Sequence, residues 1–155
     1  MRTAEEILKE KNRAMISISP EKTIYEAIQI MNKNRIGAIV VKEKQQIVGI
    51  WTERDLMIDM LKEGFDLKTA KIRDYMCTDL VTADYRDPIP LLQDKFLGKR
   101  LRHLFIKKDG KIIGLLSSGD VTRASLAITA EELSKLNAVC SWEYYENWRW
   151  KRLKK

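Results

Sequence analysis

Cysteine, histidine and long apolar runs are what this 155-residue chain has least of. The two cysteines, Cys77 and Cys140, stand far apart and form no CxxC pair. Neither a disulfide framework nor a zinc site is therefore expected, and a reducing cytoplasm suits the chain best. His103 is the only histidine. No orienting partner or nucleophile accompanies it, which argues against acid–base or covalent catalysis. No apolar run approaches the roughly 20 residues that span a bilayer. The first residues, MRTAEEILKEKNR, are charged and lack the apolar stretch of a signal peptide. What is present is ample core material and a basic surface. Apolar residues make up 45% and charged residues 33%, a balance that excludes wholesale disorder. The net charge of +7 favours anionic partners: nucleotides, nucleic acid or acidic lipid headgroups.

The chain repeats itself. Residues 16–55 fall on 81–120 at a constant offset of 65, without a gap. Ile24 falls on Ile89, Arg35 on Arg100, Ile47 on Ile112, Gly49 on Gly114, Thr52 on Ser117 and Asp55 on Asp120. Ahead of the repeat proper, Ile7 falls on Ile72. Each copy reads as a short extended piece (15–19, 80–83), a helix, a hairpin and a second helix. In the first copy Ile24, Ala27, Ile28 and Met31 form one apolar stripe, with Ser19 as expected N-cap and Pro20 in the first turn. The runs GAIVV and IVGIW form a hairpin across 42–46, matched by HLFI and KIIGLL across Asp109 and Gly110. The second helices start near Thr52 and Ser118. A linker covers 62–70 and a short helical lead-in 71–76. Pro88 and Pro90 crowd the start of the second copy's first helix, which is expected to be shorter or shifted. The fold class is α/β, β-α-β-β-α twice. Expected divisions are residues 1–65, 66–128 and a helical tail, 129–155.

Each hairpin ends in the same pattern, GIWTERD and GLLSSGD. A strand runs there into a helix N-terminus, whose free N–H groups suit phosphate. Thr52 and Ser117 can bond a phosphate, and Asp55 and Asp120, one turn on, can accept from both hydroxyls of a ribose. Gly49 and Gly114 are expected to keep the cleft free of side chains. Each motif alone reads equally well as a capped helix start with a first-turn acid. Two copies in register favour the ligand reading.

These residues resemble the CBS domain family in its paired form, the Bateman module, over about residues 7–126. TIYEAIQIMNKNRIGAIVV with VGIWTERDL is similar to the family's first-domain pattern. IRDYMCTDLVT with KRLRHLFIKKDGKIIGLLSSGDV is similar to the second. The resemblance implies two copies about a pseudo-twofold axis, and two clefts that take AMP, ADP, ATP, NAD or S-adenosylmethionine. It implies a first site of Ser17, Ile36, Gly37, Ala38, Thr52, Arg54 and Asp55. It implies a second of Thr82, Leu101, Arg102, His103, Ser117 and Asp120. Asp55 and Asp120 would hold ribose, Thr52 and Ser117 phosphate or ribose, and Ser17 and Thr82 the base edge. No metal and no catalytic cofactor is implied. Tyr85, where the first copy has Pro20, and Leu92, where the family has a small residue, depart from the pattern.

His103, in RLRHLF between Arg100 and Arg102, is placed beside a phosphate. Arg35 and Arg54 flank the first cleft, or are solvated surface charges. Past the repeat, Thr129 and Glu132 form a capping box that is expected to start a tail helix continued by Leu133, Leu136 and Cys140. The tail ends SWEYYENWRWKRLKK. Its aromatics, Trp142, Tyr145 and Trp148 among them, are expected to dock on the core or a second subunit. Stacking on single-stranded nucleic acid is the alternative, and a membrane interface a third. A homodimer is expected through Leu56, Met57, Met60, Leu61, Val121, Leu126 and Ile128. The leading function is a non-enzymatic adenine-nucleotide sensor that signals to a partner protein. A nucleic-acid-binding protein acting through the tail is the alternative.

Overall fold

The computed structural model describes residues 2–136. Helix α1 (Ala4–Lys11) leads in, followed by β1 (Ser17–Ile18), α2 (Ile24–Asn34), β2 (Ala38–Glu43), β3 (Gln46–Thr52) and α3 (Glu53–Asp59). A single 3-10 turn, Ile72–Asp74, then leads into β4 (Thr82–Asp84), α4 (Ile89–Gly98), β5 (His103–Lys108), β6 (Lys111–Ser117) and α5 (Ser118–Leu136). The offset of 65 carries β2 onto β5 and β3 onto β6 residue for residue. Each repeat folds a three-stranded sheet: β1 runs parallel to β2 and β2 antiparallel to β3, and β4, β5 and β6 do the same. Even the irregularity repeats, a register shift after Val41 and another after Ile106. Helix α4 starts at the position equivalent to α2 and ends one residue earlier, so it is shorter at its far end, and Pro88 and Pro90 at its start do not shift it.

Two apolar cores result. Ile18, Ile24, Ala27, Met31, Ile39, Val41 and Trp51 form the first. Ala83, Ile89, Leu92, Phe96, Leu104, Ile106 and Leu116 are in the second. Strand residues alternate in direction, so Val40 and Phe105 point away from these cores. Both are nonetheless buried.

The lead-ins cross over. Ala4 and Ile7 of α1 complete the second core, while Ile72 completes the first. Backbone bridges fix the exchange, Thr3 with Pro88 and Thr23 with Lys71. This crossing explains the paired glycines, and corrects the expectation that they keep a ligand cleft open. A Cβ on Gly49 would lie 2.4 Å from Met76 Sδ, and one on Gly114 2.6 Å from a Leu8 methyl. Each glycine makes room for the crossed lead-in. Gly114→Ala is expected to destabilise by about 1–3 kcal/mol in urea unfolding. Leu8→Ala, which empties the space, should recover part of that loss in the double variant. Simple additivity of the two costs would contradict the packing role.

Three local expectations need correction. Helix α2 is capped by Thr23, not Ser19. The Glu26 amide donates to the Thr23 hydroxyl at 3.2 Å, and the Glu26 carboxylate accepts from the Thr23 amide at 2.9 Å. Ser19 and Pro20 belong to the preceding turn. Thr129 starts no helix, because α5 is already running from Ser118; its hydroxyl donates back to the Ser125 carbonyl at 3.3 Å. Val121, expected on an exposed helix face, lies in the second core. Met57, Met60, Leu61 and Leu126 do stay exposed. Trp142, Tyr145, Trp148 and the rest of the tail beyond 136 lie outside the described residues. No helix among the described residues is long and apolar enough to cross a membrane.

Candidate functional site

Both motifs fold as anticipated, and both carboxylates are capping groups as well. At the start of α3 the Thr52 amide and hydroxyl each donate to Asp55 Oδ2 at 2.8 Å, and the Asp55 amide donates to Thr52 Oγ1 at 3.3 Å. At the start of α5 the Ser117 amide and hydroxyl donate to Asp120 Oδ2 at 2.8 and 2.7 Å, with the return bond at 3.1 Å. Each hydroxyl proton is thus committed to a carboxylate rather than to a phosphate. One carboxylate oxygen serves the cap. The other, Oδ1, makes no hydrogen bond in either motif among the described residues, although that of Asp120 has Arg123 Nη1 3.9 Å away, so cap and ligand roles can coexist on one side chain.

The two acids lie in two clefts of similar size, about 190 Å³ around Asp55 and about 210 Å³ around Asp120. The clefts are built crosswise. Thr52, Arg54 and Asp55 share theirs with Leu101, Arg102 and His103 of the second repeat. Ser117 and Asp120 share theirs with Ile36, Gly37 and Ala38 of the first. The sequence grouping, one site per repeat, is corrected accordingly. Glu53 N–H donates to the Gly37 carbonyl at 3.0 Å and Ser118 N–H to the Arg102 carbonyl at 2.9 Å. These bonds extend each hairpin ladder by one position beyond Ala38 with Thr52 and His103 with Ser117, and residues of each strand entry line the cleft of the other repeat's acid. Gly37 and His103 line both clefts. Ser17 and Thr82 line neither. The apolar walls obey the repeat: Ile50, Val81 and Leu101 in one cleft, Leu115, Ile16 and Ile36 in the other. Ile50, Val81, Ile16 and Leu115 were not among the expected site residues. Strand alternation would have found Ile50 and Leu115, two positions before Thr52 and Ser117 on the same faces.

Electrostatically the clefts differ. Lys11, from the crossed lead-in, donates to Asp120 Oδ2 at 2.8 Å and to the Leu115 carbonyl at 2.9 Å. Asp55 makes no ion pair among the described residues. Burial alone would raise the Asp120 carboxyl. The bonds from Lys11 and from the Ser117 amide and hydroxyl outweigh it and hold the group below the ordinary 3.8. Its contribution to stability is present above that pH and is lost on acidification.

His103 is pulled down to about 4, first by burial and then by the nearby charges of Arg102 and Lys11. The fold therefore holds a neutral imidazole. A depressed folded pKa gives stability that is full above 6.5 and declines as pH falls towards 4. Wild type is expected to lose about 2 kcal/mol more than His103→Gln over that window in parallel urea titrations. Identical pH profiles would mean that the imidazole titrates as freely in the fold as in the unfolded chain.

The family model for the CBS domain matches residues 4–62 and 72–127. The chain belongs to the CBS-domain family. CBS domain-containing protein CBSX3, mitochondrial, of Arabidopsis thaliana is 31% identical over 145 residues, covering 88% of this chain and 70% of that one. The CBS-domain containing protein ATU1752 of Agrobacterium tumefaciens is 27% identical in sequence and superimposes with a TM-score of 0.75, over 79% of this chain and 92% of that one. The CBS domain protein PAE2072 of Pyrobaculum aerophilum, solved in complex with AMP, is 25% identical with a TM-score of 0.69, over 84% and 99% of the respective chains. The matched segments cover the described fold apart from residues 2–3, the linker 63–71 and the end of α5 past residue 127.

Proposed function

We propose that this CBS pair is a regulatory module, not an enzyme, that binds adenine nucleotides reversibly in its two crossed clefts. One observation carries the reading. Each cleft presents a carboxylate oxygen left free by the helix cap, one turn from a helix start and beside an apolar wall. A ribose diol needs that acceptor, and an adenine ring needs that wall. The AMP complex of the Pyrobaculum relative supports the same ligand class. Signalling runs through α3 and α5, since the acids sit at their first turns. The exposed Met57, Ile58, Met60, Leu61 and Leu126 side chains form the surface of a homodimer, and a reducing cytoplasm is the compartment.

Thermal melts with AMP, ADP, ATP, NAD and S-adenosylmethionine test the ligand. A ligand at a hundred times its Kd stabilises the native state by about 2.7 kcal/mol, a shift of several degrees. Flat melts across all five at millimolar concentration would contradict the reading. Light scattering tests the assembly, and a mass of 18.1 kDa would mean a monomer.

A further inference from the structure

We propose that the clefts select ligands of different charge, the Asp120 cleft taking a nucleoside polyphosphate and the Asp55 cleft a nucleoside with one phosphate or none. The proposal rests on the adenine-nucleotide reading above and concerns which ligand goes where. The walls of the clefts are equivalent in shape but not in charge. Around Asp55, the cations Arg54, Arg100 and Arg102 face the acids Glu53, Asp55 and Asp79, which leaves no net charge. Arg102 is moreover paired with Glu53 at 3.2 Å. Around Asp120, Lys11, Arg13 and Arg35 face Asp120 alone, which leaves two net positive charges. His103 borders both clefts and is neutral at physiological pH.

The crossed lead-ins favour the Asp120 cleft by three charges, of which Arg54, Arg102 and Glu53 of the other cleft offset one. The offset of 65 sets Lys11 against Met76, Arg13 against Thr78 and Ala14 against Asp79. One lead-in brings two cations, and the other brings an acid. Lys11 is placed to act on a phosphate without giving up its present bonds. An ammonium has three N–H groups. Two go to Asp120 and Leu115, and the third is available to an anion bound beside the ribose acceptor. Arg13 is anchored by a bond from Nη2 to the Asn34 carbonyl at 2.5 Å and keeps its other N–H donors. A triphosphate gains from both cations, and a neutral nucleoside from neither.

The test separates the clefts by variant. Asp55→Asn leaves the Asp120 cleft as the working site, and Asp120→Asn the reverse. Each is titrated calorimetrically with adenosine, AMP and ATP, without divalent cations, after a melt confirms folding. In Asp55→Asn, ATP is expected to bind about tenfold or more tighter than AMP, with a preference that shrinks as salt is raised. Adding Lys11→Met and Arg13→Thr, which import the residues of the other lead-in, should erase that preference while AMP still binds. In Asp120→Asn, AMP should bind at least as well as ATP. Equal ATP-to-AMP ratios in the two backgrounds, or a preference that survives loss of both cations, would overturn the proposal and leave the nucleotide reading standing. Absence of heat with every ligand on the unaltered protein would overturn both.

Discussion

Asp59→Ala is expected to destabilise the protein by about 2–3 kcal/mol, the cost of leaving a buried donor without its acceptor. Asp59 is the one buried charged side chain among the described residues. Its Oδ2 accepts from the Trp51 indole N–H at 2.9 Å, and its Oδ1 from Lys62 at 2.7 Å. Trp51 is fully buried, so water cannot replace the lost acceptor. An acid in the last turn of a helix also opposes the helix dipole, so α3 carries Asp59 despite its position rather than because of it. The second repeat does without the pair: Leu116 and Ala124 stand at the equivalent positions, both buried. Trp51→Phe removes the donor. In an Asp59→Ala background it should therefore cost about 1–2 kcal/mol less than in the wild type. A urea midpoint for Asp59→Ala within about 0.5 kcal/mol of wild type would show the indole N–H to be satisfied elsewhere.

Asp55→Asn and Asp120→Asn are each expected to weaken AMP binding at their own cleft about tenfold to a hundredfold, the loss of one charged acceptor. Asparagine keeps a carbonyl oxygen for the Thr52 or Ser117 amide, so the cap survives and the Asp55 variant should melt close to wild type. Asp120→Asn also strips Lys11 of its counter-charge, so it should melt lower than Asp55→Asn. Calorimetry that gives unchanged affinity for both variants would reduce the two acids to helix caps.

The repeat was the most legible feature of the sequence. Gly49 against Gly114 and Asp55 against Asp120 fixed an offset that the strands follow residue for residue. Local chemistry was readable where one reading competed with nothing else, as at the Asp109–Gly110 turn, where both residues take positive φ. It misled where two signals overlapped. Thr23 and Glu26 form a capping box that Ser19 and Pro20 obscured, and Thr129 with Glu132 mimics one inside a helix already begun. What the sequence could not reveal was which repeat a segment joins. Ile7 and Ile72 are visibly equivalent, yet only the packed chain sends each into the opposite core. The same crossing carries Lys11 to Asp120, and the packing of the repeats puts Leu101 and His103 in the cleft of Asp55. Most of the residues named from the sequence do line the two clefts, but which residues share a cleft was not legible, because that depends on how the two repeats pack rather than on spacing along the chain.

The thiol of Cys77 offers the most direct test of that docking. Cys77 is exposed, lines the Asp55 cleft and is absent from the walls of the Asp120 cleft. With Cys140 replaced by serine, its alkylation by iodoacetamide can be followed with and without saturating AMP. Protection is expected in this protein and in its Asp120→Asn form, and loss of protection in Asp55→Asn at the same AMP concentration. A Cys77 that reacts at one rate with and without AMP, while calorimetry records AMP bound, would place the nucleotide elsewhere and contradict the crossed clefts.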